Sequence, residues 1–357
     1  MKILAIETSC DETAIAVLEI TGQKAVVLSN VVSSQVKIHQ KYGGVYPSLA
    51  AREHEKNLPK VLKQSLKKAG FKSPADMDII AFTAGPGLAV ALWKGVNFAK
   101  ELAKKYKKPL IPVNHIEGHI YSNWLKPVGV NYKPKAVSHN LFPAVCLVVS
   151  GGHTELILMK GHGKYKLIGK TRDDAAGEAF DKIARILGLG YPGGPVISTV
   201  AEKFKKIKLK THSLPRPMIN SKDFDFSFSG LKTAVLYLVR DLTKNNKRKL
   251  KKAEVISIAA EAQNAIVDVL ISKTVKAVKN LNAKSIMLSG GVSANKLLRE
   301  TLQREADKIG VQVFIPSMEY TTDNAAMIAS AAYQSYKLRA SSYKLKEVKA
   351  DANWELV

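Results

Sequence analysis

Two cysteines in 357 residues, Cys10 and Cys146, leave this sequence without a disulfide framework and without a CxxC pair for a structural zinc cage. A reducing compartment is expected. Long apolar runs are also missing, since none approaches the roughly 20 residues a membrane-spanning helix needs. The stretch Met1 to Ile6 is interrupted at once by Glu7. It is too short for a signal-peptide core and has no small-residue cleavage site behind it. A cytoplasmic protein without membrane association is expected. Acidic residues are scarce, 30 against 55 Lys+Arg, giving a formal net charge of +25. Lysines cluster at Lys104 to Lys108, Lys203 to Lys210 and Lys244 to Lys252. Such a surface attracts polyanions through counterion release, with RNA, DNA and lipid headgroups all eligible. Solvated helix faces in a lysine-rich proteome are the plainer alternative.

What is present is a globular α/β pattern. The hydrophobic fraction of 46% excludes wholesale disorder, and the length suits two domains. Ile3 to Ile6 reads as a short buried strand entering a polar loop, Glu7 to Glu12, followed by a strand from Thr13 to Leu18. Ala144 to Val149 repeats the pattern, entering Ser150-Gly151-Gly152-His153 and continuing to Met159. Strand, small polar loop and strand recur about 140 residues apart, which points to a duplicated domain. Between the copies, Leu58 to Ala69 reads as a helix ended by Gly70, Asp78 to Thr83 as a strand and Ala89 to Tyr106 as a helix. Lys126 to Pro143 has no periodicity and reads as a boundary. Beyond it, Glu254 to Val278 and Asn295 to Ile309 read as helices and Ser285 to Leu288 as a strand; a last helix begins near Asp323-Asn324.

Three groups of residues could carry chemistry. In His115-Ile116-Glu117-Gly118-His119 the two imidazoles stand four apart, so on a helix they share one face and can reach one metal ion. A structural role fits equally well at this stage. Glu117 is about 200° round the helix from either histidine, which weighs against an HExxH-type protease. A catalytic metal normally keeps about three protein ligands, and Asp323 is the obvious remote carboxylate, with helix N-capping as its other use. The second group is three glycine-rich loops: Ser150 to His153, Gly193-Gly194-Pro195 and Ser289-Gly290-Gly291-Val292-Ser293-Ala294-Asn295. Together they favour nucleotide binding, yet none is a P-loop or a dinucleotide fingerprint. The third is Asp173 to Lys182, where Asp174 and Asp181 stand seven apart. That acidic edge could meet ribose hydroxyls, or be a solvated helix start.

These motifs closely resemble the TsaD (formerly Gcp) family over nearly the whole chain. The resemblance lies in IETSCDET at Ile6 to Thr13, GPGL at Gly85 to Leu88, HIEGH, VSGGHTEL at Val149 to Leu156, DDAAGEAFDK, YPGG at Tyr191 to Gly194, FSFSGLKT at Phe226 to Thr233, SGGVSAN and TTDNAAMIA. It implies an α/β, two-lobed actin/hexokinase/Hsp70-like (ASKHA) fold with duplicated RNase H-like domains and a nucleotide cleft. The expected division is an N-terminal lobe at 1–135, completed by a C-terminal helix at 324–343, a second lobe at 141–323 and a peripheral tail at 344–357. The implied activity is transfer of threonylcarbamoyl from threonylcarbamoyl-AMP to N6 of tRNA adenosine 37, in tRNAs reading codons that start with A, releasing AMP. The resemblance places one divalent metal ion, Fe(2+) or Zn(2+), on His115, His119 and Asp323. It places substrate contacts on Val148, Val149, Ser150, Gly151, Gly152, Asp181, Gly194 and Asn295. TsaB and TsaE are the implied partners, with TsaC supplying the adenylate. Val148 and His153 stand where the archaeal and eukaryotic sister family usually has Tyr and Asn, so the chain looks bacterial or organellar in type, and with no signal or transit sequence visible the bacterial type is expected. Thr321 departs from a frequent Cys and leaves Asp323 in place. No general base is identified, Glu12 and His153 being candidates. An actin-like small-molecule kinase and a catalytically silent scaffold are the competing expectations.

Overall fold

The computed structural model describes residues 1–131, 141–204, 212–245, 247–339 and 348–356. Parts of the expected boundary at Lys126 to Pro143, of the second and third lysine clusters, of the 324–343 helix and of the tail lie outside the described residues. The chain divides into two compact units. The first comprises Met1–Leu141, Gly161–Tyr165 and Pro316–Val357, and the second Phe142–Lys160 and Lys166–Ile315.

In the first unit, β1 (Lys2–Glu7), β2 (Glu12–Thr21), β3 (Lys24–Ser34), β4 (Ile79–Gly85) and β5 (Leu110–Asn114) form a sheet in the order β3-β2-β1-β4-β5. β1 runs antiparallel to β2 and parallel to β4, and residues 3–7 of this central strand are all buried. A strand covered on both faces reads as an unbroken apolar run, which Ile3-Leu4-Ala5-Ile6 is. The helices of this stretch are α1 (Val36–His39), α2 (Pro47–Lys68), α3 (Ala89–Tyr106) and α4 (His115–Tyr121). Leu4 and Ile6 pack with Leu58 and Val61 of α2 and with Val96 and Ala99 of α3. α2 begins 11 residues before the expected Leu58. Pro47 starts it, at a position where the missing N–H costs nothing, and the interior Pro59 is tolerated because Ala50, Leu58 and Val61 are buried around it.

The second unit repeats the plan. Its strands β6 (Ala144–Val149), β7 (Thr154–Gly161), β8 (Lys164–Lys170), β9 (Ser285–Ser289) and β10 (Gln312–Phe314) are ordered β10-β9-β6-β7-β8. Again a central strand is antiparallel to the next strand in sequence and parallel to a later one. The helices are α5 (Ala176–Ile186), α6 (Gly193–Glu202), α7 (Ser229–Leu242), α8 (Lys252–Asn280) and α9 (Lys296–Lys308). Val145, Leu147 and Val149 of β6 share a core with Phe180 and Ile183 of α5 and Ile266 and Leu270 of α8. α8 is long and apolar enough by composition to cross a membrane, yet 72% of its most apolar window is buried inside the fold.

The last helix, α10 (Ala325–Arg339), belongs to the first unit and packs on β1, β2, β5 and α4. The segment 348–356, expected at the periphery, also packs there. Val348 is 2% exposed in the core, and the Asp351 N–H donates to the Ala84 carbonyl at 2.8 Å.

Candidate functional site

The histidine pair sits on a short helix whose start is fixed by its neighbour. Asn114 caps α4, its side-chain oxygen accepting from the N–H groups of Ile116 (2.9 Å) and Glu117 (3.2 Å). His115 and His119 therefore fall one turn apart on the same face, with ring centroids 4.6 Å apart and an interplanar angle of 78°. Gly118 lets α10 approach, because a Cβ there would stand 2.8 Å from Ile328 Cδ1. Capping of α10 falls to Asn324, which accepts from the Met327 N–H at 3.0 Å. Asp323, one residue earlier, instead lies against the imidazoles, with Oδ1 3.2 Å from His119 Nε2 and 3.6 Å from His115 Nε2.

These separations suit a metal ion. Three donors about 2.1 Å from a tetrahedral ion stand roughly 3.4 Å from one another, and one donor atom from each of His115, His119 and Asp323 lies within 4.8 Å of the others. His119 is wholly buried, and among the described residues Nδ1 has no hydrogen-bond partner while Nε2 faces only the Asp323 carboxylate, at 3.2 Å. A buried imidazole with unused nitrogens is costly unless a ligand takes one of them. The donor set, two imidazoles and a carboxylate, suits a borderline first-row cation.

Glu7 completes the arrangement, and sequence reasoning missed it. Its carboxylate is fully buried and accepts from the Ser9 N–H at 2.5 Å, from the Thr83 hydroxyl at 2.6 Å and from His115 Nδ1 at 3.0 Å. Protonation of His115 at Nδ1 turns Nε2 toward Asp323, the arrangement that orients a metal-binding histidine. A charged residue ending a buried strand was the available signal. Burial pushes the His115 pKa down, but the carboxylates of Asp323 and Glu7 outweigh it and raise it to about 9. Burial lowers that of His119.

Glu117, as its helical position implies, faces elsewhere and accepts from the Tyr165 hydroxyl at 2.9 Å. The Tyr121 hydroxyl and His162 Nδ1, 3.0 Å apart, form a second tie between α4 and the turn Gly161–Tyr165. Glu12 belongs to the same unit as the histidines and accepts from the Ser34 hydroxyl at 3.2 Å. Its pKa is raised well above the usual carboxylate range by burial, then by the charges of Asp11 and Asp323.

The residues expected to contact substrate all lie in the second unit. Val148 and Val149 are buried at the end of β6, and the chain turns at Ser150-Gly151-Gly152-His153. The Ser150 N–H donates to the His153 carbonyl at 2.8 Å, and the His153 N–H to the Ser150 hydroxyl at 3.1 Å. Among the described residues nothing lies within 4 Å of the Cβ positions of Gly151 or Gly152, which leaves both backbones accessible to a ligand. α5 abuts this turn through Gly177, whose N–H donates to the Ser150 carbonyl at 3.1 Å. A Cβ on Gly177 would stand 2.5 Å from that oxygen. Gly290, at φ +87°, brings the third loop against the Val149 carbonyl. Asp181 Oδ1 accepts from the Gly193 N–H at 2.6 Å and so anchors the second loop. The Asn295 amide donates to Ser198 Oγ and Gln263 Oε1, both at 2.9 Å. All three glycine loops and Asp181 thus gather in one region. Beside Ser198 and Gln263 opens a cavity of about 370 Å³, also lined by Glu202, Asn264, Lys296 and Glu300.

The expected acidic edge does not form. α5 starts at Ala176, so Asp174 precedes the helix and pairs with Lys182 at 2.6 Å. Asp173 accepts from Ser227 Oγ (2.6 Å), Ser229 Oγ (2.6 Å) and the N–H groups of Phe228 (2.8 Å) and Ser229 (3.2 Å). It caps α7 from a distant part of the chain.

A family profile described as "TsaD: tRNA N6-adenosine threonylcarbamoyltransferase" matches residues 26–330. The chain belongs to the TsaD family. A relative named tRNA N6-adenosine threonylcarbamoyltransferase from Thermosipho africanus (strain TCF52B) is 49% identical over 342 residues, covering 96% of each chain. One of the same name from Thermomicrobium roseum is 49% identical over 348 residues, covering 93% of this chain and 91% of the relative. Family membership carries tRNA N6-adenosine threonylcarbamoyltransferase activity, and nothing favours the kinase or the silent scaffold. Among solved structures, full-length HypF in a phosphate- and nucleotide-bound form has a TM-score of 0.57 at 12% identity, covering 96% of this chain and 47% of HypF. An activator of 2-hydroxyisocaproyl-CoA dehydratase from Clostridium difficile, with bound ADPNP, has a TM-score of 0.51 at 12% identity, covering 96% and 99%. These likenesses concern the fold alone, which is of the actin/hexokinase/Hsp70-like (ASKHA) type.

Proposed function

We propose that the chain transfers threonylcarbamoyl from threonylcarbamoyl-AMP to N6 of adenosine 37, in tRNAs reading codons that start with A, and releases AMP. The observation carrying this reading is the buried donor set itself: Nε2 of His119 and of His115 converge on Asp323 Oδ1, at 3.2 and 3.6 Å. The group that suits these residues is a divalent ion, Fe(2+) or Zn(2+), which supplies Lewis acidity and a template for the threonylcarbamoyl moiety when bound.

In this reading the chain's own residues divide the remaining work. Glu7 holds His115 in one tautomer. The turn formed by Val148, Val149, Ser150, Gly151 and Gly152 offers backbone N–H groups to the phosphate, as glycine turns do. Asp181, which accepts from the Gly193 N–H, and Gly194 and Asn295 position the nucleoside. The adenosine amine attacks the carbamoyl carbon, the bond from that carbon to the phosphate oxygen breaks, and AMP leaves. Glu12 and His153 are the candidates for taking the amine proton.

TsaB and TsaE are the proposed protein partners, TsaC the supplier of the adenylate, and the cytoplasm the place of action. The test is reconstitution of the chain with these proteins, labelled threonine, bicarbonate, ATP and unmodified tRNA. Nuclease digestion should recover the label on adenosine 37. Unlabelled tRNA from a mixture that makes the adenylate would refute the reading.

A further inference from the structure

Residues 35–52 of the first unit hold two tyrosines in solvent. Tyr42 is 62% exposed and Tyr46 53% exposed, and their rings are stacked with centroids 5.8 Å apart and planes 30° apart. The backbone beneath them is fixed. His39 is fully buried; its Nε2 pairs with Gln35 Oε1 at 3.1 Å, and its Nδ1 accepts from the Tyr46 N–H at 3.2 Å. With Nδ1 accepting, Nε2 must be the protonated nitrogen and donate to Gln35. Gln35 is anchored in turn, its N–H donating to the Asp11 carbonyl at 3.0 Å. Asp11 lies in the turn that follows Glu7, the residue bonded to His115. Between the tyrosines Gly43 takes φ +67°, the left-handed conformation that reverses the chain after the short helical turn Gln40–Tyr42. A continuous hydrogen-bonded path therefore connects the exposed ring pair to the loop beside the histidine site.

The surroundings are basic. Lys37, Lys41 and Arg52 are exposed, and no acidic residue occurs between Glu19 and Glu53. Exposed aromatic rings interleaved with exposed cations match single-stranded nucleic acid, since a ring stacks any base while the cations meet the flanking phosphates. An enzyme acting on a base must also take that base out of its stack, and a waiting aromatic surface offsets the lost stacking.

We propose that Tyr42 and Tyr46 form a stacking platform for an unstacked base of the tRNA anticodon loop, with Lys37, Lys41 and Arg52 holding the adjacent phosphates. This rests on the tRNA-adenosine reading and adds the surface that receives the RNA.

The test uses the full chain reconstituted with its partner proteins, comparing Tyr42→Ala/Tyr46→Ala with Tyr42→Phe/Tyr46→Phe. Direct binding of unmodified tRNA and KM for tRNA are both measured. Stacking on one base is worth about 5- to 150-fold in affinity, so the double alanine variant should bind tRNA at least about fivefold more weakly, with KM rising in parallel. The double phenylalanine variant should stay within about twofold of wild type. Thermal unfolding and metal affinity should be unchanged in both. Lys37→Gln and Lys41→Gln should each flatten the salt dependence of tRNA binding by about 0.7–0.9 in log–log slope. Equal tRNA binding by wild type and the double alanine variant overturns the platform, as does a loss confined to protein-partner affinity, which would make the surface a protein interface. Wild-type protein that binds tRNA without modifying it counts against the transfer reading alone.

Discussion

Glu7 Oε2 lies 3.0 Å from His115 Nδ1, and both side chains are buried. One carboxylate thereby bonds the first sheet's central strand to the helix carrying both histidines, and Thr83 at 2.6 Å ties the neighbouring strand to it as well. Removing such an orienting carboxylate typically costs 10–100-fold in metal affinity. Glu7→Gln keeps the shape, but its amide has only one acceptor oxygen for three donors. Competition titration with a chromophoric chelator should show metal affinity lowered at least tenfold, with circular dichroism unchanged. Unaltered affinity would mean that Glu7 only supports the fold.

Gly177 and Gly194 should respond oppositely to alanine. Exposed helix interiors gain roughly 1 kcal/mol from Gly→Ala. At Gly177 the added Cβ would meet the Ser150 carbonyl at 2.5 Å and Gly151 Cα at 2.9 Å, both backbone atoms. Gly177→Ala should therefore lower unfolding free energy by about 1–3 kcal/mol, as overpacking does, and should distort the Ser150–His153 turn. At Gly194 nothing lies within 4 Å among the described residues, so Gly194→Ala should leave urea unfolding unchanged or slightly stabilised while weakening adenylate binding.

Asp173 predicts a pH dependence. Burial raises its pKa, but the Ser227 and Ser229 hydroxyls and the Phe228 and Ser229 N–H groups outweigh that and hold it below the usual carboxylate value. A lowered folded pKa means that its stabilisation is complete above the unfolded value of about 4 and is lost as pH falls through the folded value. Asp173→Ala should cost about 1 kcal/mol at pH 7, in the range of a lost helix cap. The difference in Tm between variant and wild type should close as pH drops below 4. A constant gap would show that hydrogen bonding to the ionised carboxylate is not the source.

The parts of this architecture set by local chemistry were legible in the sequence. The buried run Ile3 to Ile6, the histidines four apart and the glycine turns after apolar strands each announce themselves within a few residues. What required coordinates were choices made between distant segments. Asp323 and Asn324 both make sensible caps, and only the packing of α10 beside α4 gives the cap to Asn324 and sets Asp323 against the imidazoles. Glu7 could not be paired with His115, 108 positions away, by any periodicity. The Asp174–Asp181 edge failed for a smaller reason: the helix starts two residues after Asp174, so i+7 spacing has no meaning there.

If His115, His119 and Asp323 hold a metal ion on which transfer to tRNA depends, His115→Ala/His119→Ala should abolish both in the reconstituted system, with bound metal and labelled-threonine transfer measured on the same samples. Wild type should carry about one metal ion per chain and label tRNA, and the variant should do neither while still unfolding cooperatively. Labelled tRNA formed at the wild-type rate by the double variant would contradict that dependence.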